Sequence, residues 1–261
     1  AIAAWSRVEQ RLYLARAPAG YRTLYWFRGA GMIAFSTRLR ALLTLADVPR
    51  DLDDSAVANF LILNHGPPEQ TLYRAIQRVP MGHLAILEPH RTSLSAHWTA
   101  PEPGSLRHRC DDDYVEHGRE VLDKAVADAL RTTNPPTLLL TGGLDSTAIA
   151  ESAVRSRAPE KLLAVTRKPQ SMPHEGNGRY FDETTRVAAL AARLPGLDWH
   201  SVGDEDDGSD ELDARRFFLE AGAPSRAPNN VAWFFPVYRF MHQRGSQVSI
   251  GGEQGNTYFS D

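Results

Sequence analysis

Apolar residues in the first hundred positions come in short runs bounded by turn-forming residues, a pattern typical of antiparallel strands. A Pro-Ala-Gly turn at 18–20 separates two runs, and a Gly-Ala-Gly turn at 29–31 separates the next two. Apolar residues then recur at helical spacing behind Asp53, Asp54 and Ser55, which are residue types that cap helices. This part of the chain is predicted to be mostly β, with strands at residues 12–15, 24–27, 32–35 and 83–87.

Beyond residue 110 the pattern changes to short apolar runs that alternate with longer segments of helical spacing. Such alternation predicts an α/β domain with a doubly wound parallel sheet, covered by helices on both faces. Residues 100–109 contain two prolines, a glycine and basic residues, so they are the best candidate linker. We therefore predict two domains, residues 1–105 and 106–261. The second has predicted strands at 137–140, 162–166, 199–202 and 247–250, and predicted helices starting at 111 and spanning 146–157, 182–194 and 231–244.

The composition excludes several classes of protein. The 261 residues suit two domains, and 42% hydrophobic residues are enough for two cores. A net charge of −3 argues against a general nucleic-acid binder and against a polybasic membrane-surface protein. The single cysteine, Cys110, excludes an intrachain disulfide framework and a cysteine-rich zinc site. Without a signal peptide or an apolar run near the ~20 residues that span a bilayer, we expect a soluble, cytoplasmic protein.

The residues that carry chemistry are 141–146, Thr-Gly-Gly-Leu-Asp-Ser, between a predicted buried strand and a predicted helix. Two glycines let the backbone approach an anion closely, and the amide groups of the helix N-terminus point at it. Thr141 and Ser146 add hydroxyl donors. Asp145 would repel a bare phosphate, so its presence implies a divalent cation between carboxylate and phosphate oxygens. The loop therefore predicts binding of a magnesium nucleotide.

This loop resembles the Ser-Gly-Gly-x-Asp-Ser pyrophosphate loop of the N-type ATP pyrophosphatases, with Thr141 in place of the first serine. The phosphate loop that ends in Gly-Lys-Ser/Thr is excluded, because no lysine follows the glycines. In the superfamily that this loop resembles, the loop holds the β- and γ-phosphates while a substrate oxygen attacks the α-phosphate. The resemblance implies that the products of this step are an adenylate and pyrophosphate.

Three further segments narrow the resemblance to the asparagine synthetases. Residues 71–83 (TLYRAIQRVPMGH) and residues 251–256 (GGEQGN) are similar to two family motifs, and residues 24–43 resemble the end of the glutaminase-type N-terminal domain. The resemblance implies a degenerate, mostly β glutaminase-like (α+β) domain followed by an ATP-pyrophosphatase domain. Family members continue past the position of Asn256 through a helical stretch with a lysine that faces the phosphates. We therefore expect this chain to be part of a longer ligase.

The family resemblance also implies roles for individual residues, with ATP and Mg²⁺ as cofactors. Asp145 would hold magnesium and pyrophosphate, and Glu253 would act as an acid/base or orienting carboxylate. The residues implied to contact the nucleotide are Leu140 and Val165 beside the adenine, Thr141, Gly142, Gly143, Asp145 and Ser146 at the phosphates, and Gly251 and Gly252 at the α-phosphate and ribose.

Two departures point to one branch of the family. Asn256 stands where asparagine synthetases carry an aspartate that helps to hold magnesium, and the spacing from Gly252 through Asn256 to Ser260 is similar to that of the lasso-peptide macrolactam synthetases. Residues 227–230 also resemble these cyclases. Glutamine hydrolysis in asparagine synthetases needs an N-terminal cysteine, whereas residue 1 here is alanine, so we expect the nucleophile to arrive as an amine.

The resulting hypothesis is an ATP-dependent cyclase that adenylates an Asp or Glu side chain of a precursor peptide. The free N-terminal amine of the same peptide would then attack and release AMP. The resemblance implies a leader-peptide-binding protein and a leader protease as partners, with no nucleic acid and no membrane span.

Two other classes of function stay open. An asparagine synthetase or a β-lactam synthetase would use the same adenylating pocket for a small molecule; an N-terminal cysteine would favour the first, and a tyrosine in place of Glu253 would favour the second. The loss of the aspartate at Asn256 motivates the other class, a scaffold that binds nucleotide or peptide without turnover.

Overall fold

A computed structural model describes residues 1–19, 22–157, 160–168, 182–203, 217–225 and 228–252. The chain divides into two compact units. The first comprises Ala1–Ser105 with Glu211–Pro228, and the second comprises Leu106–Asp210 with Asn229–Asp261. The sequence prediction put residues 211–228 in the second domain, whereas here they group with the first unit. Among the described residues, no helix combines the length and the apolar character that crossing a bilayer requires.

The first unit contains two antiparallel sheets. One sheet has the strand order β1-β2-β6-β7 and the other has the order β4-β3-β5. The strands are β1 (Ile2–Ser6), β2 (Arg11–Ala15), β3 (Tyr25–Gly29), β4 (Met32–Ser36), β5 (Ile76–Arg78), β6 (His83–Leu87) and β7 (Thr92–Ala96), and the helices are α1 (Leu39–Leu43) and α2 (Asp54–Leu61). The mostly β prediction for this part of the chain is confirmed.

The core of the first unit lies on both faces of the three-stranded sheet. Trp26 of β3 packs with Leu14 of β2 and Leu87 of β6, which joins the two sheets. Its neighbour Phe27 points to the other face, because side chains alternate along a strand, and packs with Leu42 of α1. The α2 helix begins as predicted behind Asp53, whose side chain accepts a hydrogen bond from the Ala56 N–H at 3.0 Å.

The second unit is built on a parallel sheet with the strand order β10-β9-β8-β11. Its strands are β8 (Pro136–Leu139), β9 (Leu162–Arg167), β10 (Leu197–Val202) and β11 (Val248–Ile250), and its helices are α3 (Asp111–Ala129), α4 (Leu144–Arg157), α5 (Thr184–Arg193) and α6 (Pro228–Gln243). The predicted α/β class with a parallel sheet is confirmed.

Helices pack on both faces of this sheet. Leu138 and Ala164 contact a cluster that includes residues of α3, α4 and α5, such as Val126, Ala150 and Val187. Their strand neighbours Leu139 and Val165 pack instead with Val237 and Met241 of α6. This alternation explains why the strands read as continuous apolar runs: each residue is buried on one face or the other.

Strands β1, β5 and β7 were not predicted from the sequence, and helices α4, α5 and α6 begin two or three residues away from their predicted starts. Strands β1 and β7 lie at the edges of their sheet and are almost entirely exposed, so they carry little hydrophobic pattern. Strand β5 is only three residues long, too short to show alternation. Helix α4 begins at Leu144, two residues before the predicted start, so Asp145 lies inside its first turn.

Candidate active site

The two glycine segments singled out in the sequence follow neighbouring parallel strands. Residues 141–146 follow β8 and residues 251–252 follow β11, with Ile250 paired in register with Leu138. From β8 the chain proceeds to β9 and β10 on one side of the sheet, and β11 returns on the other side of β8. Open α/β sheets bind ligands where the strand order reverses in this way. The fold therefore brings both predicted segments to the crevice where a ligand is expected.

Hydrogen bonds within residues 141–146 hold the loop in one shape. The Thr141 N–H donates to Ser146 Oγ at 3.1 Å, and Ser146 Oγ lies 3.0 Å from Thr141 O and 3.2 Å from Gly143 O. The Thr141 and Ser146 hydroxyls are 2.9 Å apart, and the Gly143 N–H donates to Thr141 Oγ1 at 3.3 Å. Ser146 is buried, so its hydroxyl closes the turn between β8 and α4.

Gly252 packs directly against the start of α4. A Cβ at this position would lie 2.8 Å from Asp145 Cβ, 2.8 Å from the backbone nitrogen of Ser146 and 3.0 Å from the Asp145 carbonyl carbon. Ordinary carbon contacts begin near 3.4 Å, so the site has no room for a side chain. The glycine after β11 is thus required for the close approach of the two strand ends.

Residues at the start of α5 leave little space beside Gly142. A Cβ on Gly142 would lie 3.1 Å from Arg186 Cδ and 3.7 Å from Glu183 Cβ. Arg186 is in the first turn of α5, and its side chain is exposed. Sequence reasoning did not select Arg186, because only the tertiary structure brings α5 to the loop.

Leu140 and Val165 are buried, at 1% and 2% exposure. The Leu140 N–H donates to Val165 O at 2.9 Å, and Leu140 O accepts from the Thr166 hydroxyl at 2.7 Å. Trp199 Nε1–H donates in turn to Thr166 Oγ1 at 2.8 Å. Leu140, Val165 and Glu183 also line a small cavity of about 50 Å³. Thr166 could have been found by the strand-end rule that selected Val165, because it is the next residue of the strand.

Asp145 is partly buried and faces a groove between α3 and α4 that also reaches Gly251 and Gly252. The groove has a volume of about 700 Å³. Much of its wall is apolar, from Val115, Leu122, Leu144 and Ile149. Leu144, next to Asp145, is 89% exposed.

Asp145 is the carboxylate of the turn between β8 and α4 on which the predicted magnesium site would rest. Within the described ranges no three His, Cys, Asp or Glu side chains come together as a metal-binding group. Mg²⁺ usually keeps several waters and binds through one or two carboxylates plus substrate phosphates, so a single aspartate is compatible with it. Because there is no room for a side chain at residue 252, the backbone of Gly252 lies directly against this turn.

Asp182 caps the helix that carries Arg186. Its Oδ1 accepts from the Thr184 hydroxyl at 2.6 Å and from the Thr184 N–H at 2.9 Å. The hydroxyl, followed by the backbone N–H, lowers the pKa of the Asp182 carboxyl below its ordinary value. Its carboxylate is therefore engaged in the cap of α5. Glu253, the predicted catalytic carboxylate, and Asn256 lie outside the described residues.

Two family models match the chain. Residues 1–98 match the glutamine amidotransferase domain, and residues 117–260 match asparagine synthase. A putative glutamine-hydrolysing asparagine synthetase of Mycobacterium tuberculosis (strain ATCC 25618 / H37Rv) is 29% identical, over 59% of this chain and 25% of its own length. Amidase chyE of Penicillium rubens is 26% identical over 98% of this chain and 38% of its own length.

A third relative is the glutamine-hydrolysing asparagine synthetase 3 of Bacillus subtilis, 24% identical over 69% of this chain and 29% of its own length. This chain thus spans a quarter to two fifths of these curated relatives. Among solved structures, an NH₃-dependent NAD synthetase from Campylobacter jejuni covers 54% of this chain and 58% of its own, with a TM-score of 0.36 and 15% identity.

Proposed function

The chain belongs to the asparagine synthase family, and from this membership we propose that it activates a carboxylate with ATP and transfers the acyl group to an amine. AMP and pyrophosphate are the other products. The observation that carries the proposal is the packing of Gly252 against Asp145 and Ser146 at the strand-order reversal of a parallel sheet. Two backbone segments meet there at the start of a helix, which is where phosphate groups bind in open α/β sheets.

The proposal assigns a role to each predicted site residue. Asp145 would hold Mg²⁺ together with phosphate oxygens, and the metal would neutralise charge on the leaving pyrophosphate. Glu253 would act as an acid/base or orienting carboxylate for formation of the intermediate. The proposed nucleotide contacts are Thr141, Gly142, Gly143 and Ser146 at the β- and γ-phosphates, Gly251 and Gly252 at the α-phosphate and ribose, and Leu140 and Val165 at the adenine.

The proposed substrate is a lasso precursor peptide. Its Asp or Glu side chain would be adenylated, and its own N-terminal amine would close the ring. The sequence from Gly252 to Ser260 supports this choice, as does the groove of about 700 Å³ beside Asp145, which is roomier than an amino acid such as aspartate requires. Enclosing both ends of one peptide can supply roughly 7–11 kcal/mol of the barrier through proximity. A leader-peptide-binding protein and a leader protease are the proposed partners.

The names of two relatives support a small-molecule substrate as the alternative to a peptide. The relatives from M. tuberculosis and B. subtilis are called asparagine synthetases, so aspartate with ammonia is the small-molecule substrate to compare with the peptide. The adenylation step would be the same in both cases. Only the acceptor assay distinguishes them.

The test is release of AMP and pyrophosphate by the full-length protein with ATP and Mg²⁺. One reaction contains the linear precursor and its leader-binding partner, and another contains aspartate and ammonia. We expect turnover with the peptide, and Asp145→Asn should lower it about 10²-fold, since it removes the proposed metal ligand. Asp111→Asn is the matched control, because Asp111 occupies the first turn of α3 as Asp145 does in α4.

Two results would overturn these proposals separately. Full activity of the Asp145→Asn variant would contradict adenylation at this loop. Turnover with aspartate and ammonia, without turnover of the peptide, would exclude the cyclase and leave an amide ligase for a small molecule.

A further inference from the structure

Arg186 lies against the first glycine of the loop through its aliphatic chain. Arg186 Cδ and Cβ lie 3.1 and 3.4 Å from the position that a Cβ on Gly142 would take. The guanidinium group begins at the next bond after Cδ. The residue is exposed, and its aliphatic stem covers the glycine.

The absence of a side chain at residue 142 makes this contact possible. Any larger residue would push the arginine stem away from the loop, since 3.1 Å is shorter than an ordinary carbon contact. Gly142 therefore leaves room for the arginine stem at this point of the turn. The cap at Asp182 strengthens this arrangement, because it fixes the first turn of α5 from which Arg186 projects.

The loop needs positive charge from outside its own sequence. Asp145 is the only ionisable residue in the stretch 141–146, and it is an acid. A nucleoside triphosphate brings several negative charges, which one Mg²⁺ ion and a helix N-terminus with about half a positive charge would balance only in part. Arginine is always protonated and presents a planar set of donors that matches phosphate oxygens.

We infer that Arg186 binds the pyrophosphate portion of the nucleotide in the proposed adenylation site. This inference rests on the proposed function and extends it to a residue on α5, outside both glycine segments. In the adenylation step, a substrate carboxylate oxygen forms a bond to the α-phosphorus, and the bond from that phosphorus to the bridging β-oxygen breaks. The electron pair stays on the departing pyrophosphate. Arg186 stabilises that charge by hydrogen bonds.

The experiment measures binding of inorganic pyrophosphate with Mg²⁺ to the full-length protein by calorimetry. Arg186→Ala should weaken binding about tenfold to a hundredfold, the range for losing hydrogen bonds to a charged group. Arg186→Lys, which keeps the charge, should recover part of the affinity. Arg193→Ala is the control, because Arg193 is a basic residue in the last turn of the same helix. It should bind pyrophosphate as the wild type does.

A kinetic measurement separates phosphate binding from a structural role. With Arg186→Gln, which keeps part of the stem, the KM for pyrophosphate in ATP–pyrophosphate exchange should rise while the melting temperature stays at the wild-type value. Unchanged pyrophosphate affinity in Arg186→Ala and Arg186→Gln would overturn the inference, as would equal losses in Arg186→Ala and Arg193→Ala. Failure of the proposed function has a different signature: the wild type would bind pyrophosphate without catalysing exchange.

Discussion

Gly252→Ala tests the contact on which the candidate site depends. The new Cβ would lie 2.8 Å from both Asp145 Cβ and the Ser146 backbone nitrogen. To open these contacts from 2.8 Å to the ordinary 3.4 Å, the segment after β11 and the start of α4 must separate by about 0.6 Å. Backbone atoms form two of the three closest contacts, so a rotamer change cannot relieve the overlap.

The expected loss has a structural and a functional part. Overpacking of this kind costs about 1–3 kcal/mol, which should lower the melting temperature of the full-length protein by several degrees. Misplacing the loop relative to the segment after β11 should lower ATP–pyrophosphate exchange by roughly 10- to 100-fold, because reacting groups tolerate only small displacements. Differential scanning fluorimetry and exchange kinetics measure the two parts.

Gly118→Ala is the matched control. It adds the same methyl group in the middle of α3, where no described atom outside the adjacent residues and the nearby backbone of the helix lies within 4 Å of the new Cβ. It should raise stability by about 0.5–1 kcal/mol through helix propensity. Because Gly118 lines the groove beside Asp145, this variant is the control for the melting temperature alone. If Gly252→Ala kept both the wild-type melting temperature and the wild-type exchange rate, the close packing of the two strand ends would be refuted.

Two further perturbations test the supports of the site. Thr166→Val removes the hydroxyl between Leu140 O and Trp199 Nε1, so it should destabilise the second unit by about 1–3 kcal/mol in urea unfolding; an equal effect from Thr185→Val on the exposed face of α5 would argue against a role for that hydroxyl. Asp182 has a lowered pKa in the folded state, so its contribution to stability is present above the pKa of the unfolded chain and lost as pH falls through the folded value. As pH falls from about 6 to about 3, Asp182→Asn should therefore lose less stability than the wild type. Parallel pH profiles of the two proteins would show that the hydrogen bonds from Thr184 to the Asp182 carboxylate contribute nothing to stability.

Short-range sequence signals were sufficient for the elements that place the site. Strands β8 and β9 bury alternate residues in two different clusters, so their continuous apolar runs were a dependable sign of a parallel sheet. The strand–glycine–helix order around residues 141–146 likewise predicted a turn at a strand end. The edge strands β1 and β7 escaped prediction because an exposed strand needs no hydrophobic pattern.

The sequence pattern did not predict that residues 211–228 group with the first unit. Residues 211–228 follow the first strands of the α/β unit in sequence, yet they group with the first unit. There Tyr73 donates its hydroxyl to Gly222 O at 2.9 Å, and Arg40 pairs with Glu220 at 3.3 Å. Such contacts join residues far apart along the chain, and a local pattern contains no record of them.

By itself, the sequence determined the α/β class of the second unit, the strand–glycine–helix turn at residues 141–146 and the resemblance to a ligase family, because these depend on neighbouring residues along the chain. Only the tertiary structure decided that Gly252 must be glycine to pack on Asp145, and that Arg186 approaches Gly142 from a helix more than 40 positions away. Both contacts arise where parallel strands place distant loops at one sheet edge. The chemistry of the site therefore depends on distances that the order of residues does not encode locally.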